Sequence, residues 1–217
     1  MSCNFKPLRF LLLFAIQLVA AQNVSDTVFL VNNNQVPKDG RVYIDPNKMS
    51  KFYKRIIDFP KHSRVKKEDE LSNRFLPSKW VPVYLYNNQY FVYLPCDTGP
   101  NYRMLVSKKS IFMFGMEAYE CTINISLKKI NDKHFKLGYI DIQYKNTTFL
   151  DVYVIDKQRG LAVFRWSNKK TRDEYQLMVE ADKIAQFQII VNECNYSKTK
   201  EFDFDKIDFR QILNQQK

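Results

Sequence analysis

Glycine and histidine are scarce in this chain of 217 residues, which contains five glycines and two histidines. Five isolated glycines do not make a Gly-rich loop of the kind that cradles phosphate groups, and with eight prolines they exclude collagen-like or low-complexity designs. His62 and His134 lie in polar surroundings, and neither has a nucleophile motif such as Gly-x-Ser-x-Gly near it. The sequence therefore gives little support to phosphate-loop enzymes or to histidine-dependent hydrolases.

Long apolar runs are missing after the N-terminus. The first residues carry Lys6 and Arg9 without an acid, and the apolar run at residues 10–20 is too short to span a bilayer as a stable helix. Small residues then lead up to Ala21. This pattern predicts a signal peptide at residues 1–21 with cleavage after Ala21, and a mature chain without a transmembrane segment. We therefore expect a secreted or periplasmic protein.

Acidic residues are the minority among the charged ones, since 34 Lys and Arg face 23 Asp and Glu. The formal net charge is +11, and removal of the signal peptide leaves +9. The lysines are scattered through predicted turns, as at Lys108 and Lys109, which is typical of a solvated surface. For an exported protein we expect no nucleic-acid partner. The basic surface favours anionic surfaces such as lipid headgroups, lipopolysaccharide or acidic polysaccharide.

Only four cysteines occur, and three remain after the signal peptide: Cys96, Cys121 and Cys194. An odd number allows at most one internal disulfide and leaves one thiol over. Their spacing matches no zinc pattern, so we expect neither a metal site nor a cofactor. Cys96 with Cys194 is the preferred pair, because it would tie the end of an early strand to the end of the last one. Three unpaired, mostly buried thiols are the alternative.

Residues 22–79 predict a small α/β extension in front of the main domain. Apolar residues 27–31 and residues 41–44 flank a polar turn and predict a loose β-hairpin. Asp45, followed by proline, predicts the start of a helix that continues to about Ile57. The rest of the extension, up to residue 79, is the most charged stretch of the chain and predicts a solvated helix or a linker.

From residue 80 onward the pattern changes to short apolar runs with period-two alternation, separated by polar turns. A long meander of such strands avoids exposed edges by closing on itself. The predicted fold class is mainly β: an antiparallel meander over residues 80–217 that forms a barrel or strongly bent sheet, followed by a C-terminal helix within residues 202–213. The predicted strands are residues 80–86, 89–96, 102–107, 110–114, 117–127, 135–145, 147–156, 160–167, 172–180 and 185–193.

A signal peptide, a run of short strands, a cysteine able to link the sheet to the C-terminal segment, and a terminal helix follow one another in this chain. In this order it resembles the calycin superfamily of lipocalin-like β-barrels over residues 80–217. It departs from the Gly-x-Trp signature of lipocalins, because Pro77-Ser78-Lys79 precede Trp80. The Ala-Gln cleavage junction and the abundance of Lys, Asn, Phe and Tyr are similar to secreted proteins of Bacteroidota, a likeness that implies no activity.

Aromatic residues are abundant on the predicted strands. The simpler interpretation is that they form a core and a covered surface. The alternative is that one aromatic face lines a cavity for an apolar or flat ligand, with an arginine as polar anchor. The predicted ligand-binding residues are Tyr90, Tyr93, Phe112, Phe114, Tyr119, Arg103, Arg165 and Trp166.

One tripeptide resembles a catalytic motif. Asp97-Thr98-Gly99 follows an apolar run, as in retropepsin-like aspartic proteases, in which two carboxylates share a proton. The prolines on both sides depart from that family, and a single triplet would require a homodimer. A plain turn explains the same residues.

The sequence thus yields three hypotheses about function. The first is a secreted or periplasmic non-enzymatic binding protein, which holds a small hydrophobic ligand in a barrel or docks on a surface partner. The second is a structural or protein-interaction module with a solid core. The third is a hydrolase.

Overall fold

The computed structural model describes residues 41–45, 47–48, 50–59, 75–96, 101–115, 118–140, 146–168, 172–193 and 202–215. Within these residues the chain forms eleven strands and little helix. In chain order the strands are β1 (Arg41–Asp45), β2 (Lys79–Tyr86), β3 (Gln89–Leu94), β4 (Arg103–Val106), β5 (Ser110–Phe114), β6 (Ala118–Asn131), β7 (His134–Ile140), β8 (Thr147–Asp156), β9 (Leu161–Asn168), β10 (Glu174–Glu180) and β11 (Gln188–Glu193). The helices are α1 (Lys51–Ile57), a 3₁₀ helix (Ala181–Gln186) and α2 (Phe209–Asn214).

The eleven strands belong to one sheet, in the order β1-β11-β3-β2-β10-β9-β8-β7-β6-β5-β4. Strands β4 to β10 are neighbours in the sheet as in the chain, each antiparallel to the next, as the sequence predicts. Strand β11 departs from this pattern because it runs parallel to β3, and β1 pairs with it on its other side. Ile189, Ile190 and Val191 of β11 are fully buried, which is typical of a strand covered on both faces.

Strand β2 pairs with three other strands. Residues 80–83 pair with β10, and residues 83–86 pair with β3. Lys79 and Trp80 pair with β4, which brings the far end of the sheet back to β2. The mainly β prediction is confirmed, but the closed barrel is not, since the strands form one large mixed sheet with two residue pairs between β2 and β4.

Successive residues of a strand point to opposite faces, so neighbouring side chains enter different apolar cores. In β2, Trp80 belongs to one core, and Val81 and Val83 to another. The Trp80 core contains Leu76, Trp80, Met104, Val106, Ile111, Phe135, Leu137, Tyr139, Leu150, Val152, Ala162, Phe164 and Met178. The Phe112 core contains Tyr53, Ile56, Phe59, Val81, Val83, Val92, Leu105, Phe112, Phe114, Leu161, Val163, Leu177, Val179, Ala181, Ile184, Phe187, Ile189 and Val191. The Tyr93 core contains Phe91, Tyr93 and Ile190.

Helix α1 begins later than the sequence predicts. Ser50 is its N-cap, and the Ser50 hydroxyl accepts a hydrogen bond from the amide of Tyr53 at 3.2 Å. Asp45 instead ends β1, and its Oδ1 accepts a hydrogen bond from the amide of Asn47 at 2.9 Å. The prediction that Asp45 caps the helix is therefore wrong, because an Asx turn after a strand and a helix N-cap use the same residue types. The predicted end near Ile57 is confirmed.

The described part of the N-terminal extension belongs to the main sheet and its cores. Besides the pairing of β1 with β11, Tyr53 of α1 is buried in the Phe112 core. Its hydroxyl lies at hydrogen-bonding distance from the carbonyl oxygens of Ile184 (2.8 Å) and Phe187. Burial, with the charge of Asp45, raises the pKa of Tyr53 to about 12, so the phenol stays protonated and can donate.

The C-terminal segment lies against β2 and β10. The ring of Phe204 stacks on Tyr84 with centroids 4.5 Å apart, and Phe209 stacks on Tyr175 at 5.5 Å. Ile212 of α2 packs against the Phe112 core. The predicted terminal helix is thus confirmed over Phe209–Asn214.

Candidate functional site

A buried carboxylate, Asp151, lies in the middle of β8. Its side chain is 1% exposed, and Nη2 of Arg165 donates to its Oδ2 at 2.7 Å. Nε2 of His134 lies 2.8 Å from its Oδ1. The ring of His134 stacks on Tyr153 with centroids 4.3 Å apart, and the Arg165 guanidinium lies 5.7 Å from the Tyr153 ring centre. We call these four residues the Asp151 cluster.

The strand register explains why these side chains meet. Asp151 is directly opposite Lys136 of β7 and Arg165 of β9, and Tyr153 is directly opposite His134. Directly opposite residues on one face of a sheet are the pairs that interact most strongly. The cluster occupies the face of β8 that points away from the Trp80 core.

Electrostatics keep this carboxylate ionised. Burial by itself raises the pKa of Asp151, but hydrogen bonds from Arg165 and His134 and the positive charges of Arg165 and Lys136 outweigh it, so the pKa lies below its ordinary value. A general base works best when its pKa is close to the working pH. Asp151 is therefore a charge partner that orders the sheet face rather than a group suited to proton transfer.

The structure distributes the predicted ligand-binding residues over three cores. Phe112 and Phe114 are buried in the Phe112 core, and Tyr90 packs against it. Tyr93 belongs to the Tyr93 core, and Trp166 packs against the Trp80 core. These five residues therefore do not line one common cavity.

Arg165 and Tyr93, two polar residues of the predicted site, make hydrogen bonds within the protein. Arg165 holds Asp151, and the Tyr93 hydroxyl accepts hydrogen bonds from Nδ2 of Asn192 at 3.1 Å and from the amide of Phe202 at 3.3 Å. The Arg165 contact joins β9 to β8, and the Tyr93 contacts join β3, β11 and the C-terminal segment. Arg165 and Tyr93 therefore both have a role in the fold.

Arg103 of β4 holds the C-terminal end of α1. Its Nη1 donates to the carbonyl oxygens of Arg55 (3.0 Å), Ile56 (2.9 Å) and Asp58 (2.8 Å), and its guanidinium lies 5.4 Å from the ring centre of Phe59. Burial is the main cause that lowers the pKa of Arg103 from its ordinary value. The last carbonyl groups of a helix lack intrahelical partners, and a cation at this end also interacts favourably with the helix dipole. Arg103 therefore joins α1 to the sheet.

Replacement of Arg103 tests this role. We expect Arg103→Leu to lower the free energy of unfolding by about 1–2 kcal/mol, because the carbonyl groups at the end of α1 lose a charged donor. Arg210→Leu, at an exposed position of α2, is the matched control and should change little. Urea unfolding measures both. Equal stability of the two variants would contradict the role.

Arg103 and Phe114, two of the predicted ligand-binding residues, do come together. They are a directly opposite pair of β4 and β5 and line a cavity of about 120 Å³ beside α1. Small-molecule sites typically measure about 300–1,000 Å³. This cavity is therefore too small for the ligand that the aromatic residues predict.

Cys96, just after β3, forms a disulfide bond, and its partner lies outside the side chains that the structure describes. The pair of Cys96 with Cys194 stays a prediction. The strand geometry supports it, because β3 and β11 are parallel and end at the same side of the sheet, with Leu94 opposite Val191. Cys194 directly follows Glu193, the last residue of β11.

Several predicted features lie outside the described part of the chain. They are the signal peptide at residues 1–21, the hairpin arm at residues 27–31, the charged residues 61–74, the Asp97-Thr98-Gly99 tripeptide, and the side chain of Tyr119.

A larger cavity, of about 590 Å³, opens at one end of the strands. The start of β2, the β6–β7 turn, the β8–β9 turn and the 3₁₀ helix contribute to its lining. None of the predicted ligand-binding residues belongs to this lining. Prediction from sequence missed it because its polar residues come from turns that are far apart in the chain.

Comparison of the chain with known protein families, with curated proteins and with solved structures finds no match. Among the described residues, no three His, Cys, Asp or Glu side chains are grouped in a way that could hold a metal ion. In the same part of the chain, every helix is too short or too polar to cross a membrane.

Proposed function

We propose that this chain is a secreted, non-enzymatic binding module whose strands β2 and β4–β10 close into a barrel filled by the protein's own side chains. The residue pairs of Lys79 and Trp80 with β4 support closure, because they complete a path from strand to strand around these eight strands. The mixed sheet beyond β2, with β3, β11 and β1, would then cover part of the barrel wall.

The observation that carries the proposal is the Trp80 core. Strands β2, β4, β5 and β7–β10 each contribute a buried apolar side chain to it. The rings of Trp80 and Phe164 are essentially inaccessible and meet edge to face with centroids 5.0 Å apart. The indole Nε1 of Trp80 donates to the carbonyl of Pro77 at 2.7 Å. Large side chains thus occupy the place where a lipocalin-like barrel would hold its ligand.

A module with such an interior recognises partners through its surface. The formal net charge of +9 that remains after removal of the signal peptide, with Lys6 and Arg9, supports an anionic partner, because a positive field raises the rate at which anionic groups are captured. The Asp151 cluster supports a binding role over a catalytic one, since its carboxylate is paired with the guanidinium of Arg165.

Native mass spectrometry tests the filled interior. The protein is purified from its own host, and organic extraction follows to release anything that is bound. We expect the mass of the chain alone and no extracted lipid. A lipid or aromatic compound that co-purifies reproducibly would overturn the filled interior and restore the carrier of a hydrophobic ligand.

A further inference from the structure

The cavity at the end of the strands has the dimensions of a ligand site. Its volume of about 590 Å³ lies within the range of about 300–1,000 Å³ that is typical of small-molecule sites. Phe75 forms one wall, and its ring packs on Phe135 with centroids 5.4 Å apart. The 3₁₀ helix and the turn between β8 and β9 also contribute to its lining.

Charged groups of both signs line this cavity. Nζ of Lys129 lies 2.6 Å from Oδ1 of Asp132, and Nζ of Lys183 lies 3.3 Å from Oε2 of Glu180. The ammonium of Lys157 is in no ion pair with the described residues, and its backbone carbonyl accepts a hydrogen bond from Nζ of Lys183 at 2.6 Å. Lys79 also lines the cavity, and the charge of Lys157 acts on Asp132, which already pairs with Lys129. Four ammonium groups thus face these two paired carboxylates.

Asp182 adds an exposed carboxylate at the start of the 3₁₀ helix. An apolar ligand would remove water from these charged groups without replacing its hydrogen bonds, which is costly. A compact dianion such as phosphate would meet the carboxylates of Glu180 and Asp182 at the same time as the lysines. With Asp182 counted, the lining carries four lysines against three carboxylates, an excess of one positive charge. A ligand with several hydroxyl donors and a single negative charge therefore fits best.

Sugar rings with a carboxylate have this chemistry. Ring hydroxyls donate to carboxylates and accept from ammonium groups. The C–H face of the ring can pack against the aromatic wall at Phe75. The single carboxylate of a uronic acid pairs with one ammonium, and the positive charge of the whole chain favours its approach.

We infer that this cavity binds a saccharide unit that carries a carboxylate. Lys157 pairs with the carboxylate, and Glu180 and Asp182 accept hydrogen bonds from the ring hydroxyls. This assignment rests on the proposed binding function and names the class of its ligand.

The test compares acidic and neutral forms of the same sugars. Each sugar is titrated into the full chain, and its affinity is measured by calorimetry and by ligand-observed NMR. Glucuronic acid is compared with glucose, and galacturonic acid with galactose. We expect each uronic acid to bind about tenfold more tightly than its neutral form, as one charge-assisted hydrogen bond would give. Lys157→Met should remove this preference, and Asp182→Asn should weaken both forms. Lys206→Met and Glu174→Gln, at exposed positions outside the cavity, are the matched controls and should leave binding unchanged.

Three results would overturn the inference. They are equal affinity for acidic and neutral sugars, a preference that survives Lys157→Met, and competition by acetate as effective as that by the uronic acids. Absence of binding by all four sugars would overturn it as well, and would leave the filled interior intact. The proposal of a filled interior is overturned by a different result, a lipid that co-purifies with the protein.

Discussion

Asp151→Asn is expected to lower the free energy of unfolding by about 2–4 kcal/mol, because it leaves the partly buried guanidinium of Arg165 without its anion. The Asp151 side chain is almost inaccessible, so water cannot replace the lost charge there. Asp182→Asn, which removes an exposed carboxylate, should change stability little. Chemical denaturation with urea measures both, and a loss in Asp151→Asn no larger than in the control would contradict the expectation.

The pH dependence of stability provides a second measurement on the same variant. The pKa of Asp151 is lower in the folded protein than its ordinary value, so the unfolded chain binds more protons than the folded chain as the pH falls. The stabilisation by Asp151 is present above the pKa of an unfolded aspartate, about 3.9, and is lost as the pH falls from there towards the folded pKa. Asp151→Asn should lack this acid-dependent part. Parallel pH profiles of the two proteins would contradict the role of the carboxylate.

Trp80→Ala is expected to cost about 3–5 kcal/mol, because it removes the largest side chain of the Trp80 core and leaves a cavity. An apolar cavity of this kind binds small apolar molecules, so added indole should restore part of the stability. Trp166→Ala is the matched control, since Trp166 only packs against the edge of the same core.

Thermal and urea unfolding of the two tryptophan variants, each with and without indole, test whether the interior is filled. A filled interior requires the larger loss, and the rescue by indole, at Trp80. If Trp80→Ala lowers the free energy of unfolding no more than Trp166→Ala does, the interior is not tightly packed around Trp80. The hypothesis of a carrier for a hydrophobic ligand then regains support.

Strand positions follow closely from the sequence. The alternation of apolar and polar residues predicts residues 110–114 and 147–156 as strands, and these are the bounds of β5 and β8. Which face of a strand points into a core cannot be predicted from the sequence in β3, because residues 90–94 are apolar on both faces. The structure shows the reason: Val92 enters the Phe112 core, whereas Phe91 and Tyr93 enter the Tyr93 core.

The Asp151 cluster is the part of the site that sequence prediction misses. A charged residue between Leu150 and Val152 is a usable signal, since a buried charge needs a partner. Which cation pairs with it depends on the register of β7, β8 and β9, and single-sequence patterns do not determine register across turns. For the same reason Arg165 is predicted as a ligand anchor, although it pairs with the carboxylate from the neighbouring strand.

The pairing of β2 with β10 also bears on the order in which the protein assembles. Val81 pairs with Val179, so this contact joins distant parts of the chain, whereas the hairpins from β4 to β9 join neighbouring strands. Contacts between distant residues slow folding, because the loop between them must be closed first. We expect the local hairpins, including β2–β3, to form early, and the outer edges of the β2–β3 hairpin to stay unpaired until β10 and β11 are in place. During that interval these apolar edges are exposed, and association between partly folded copies competes with completion of the sheet.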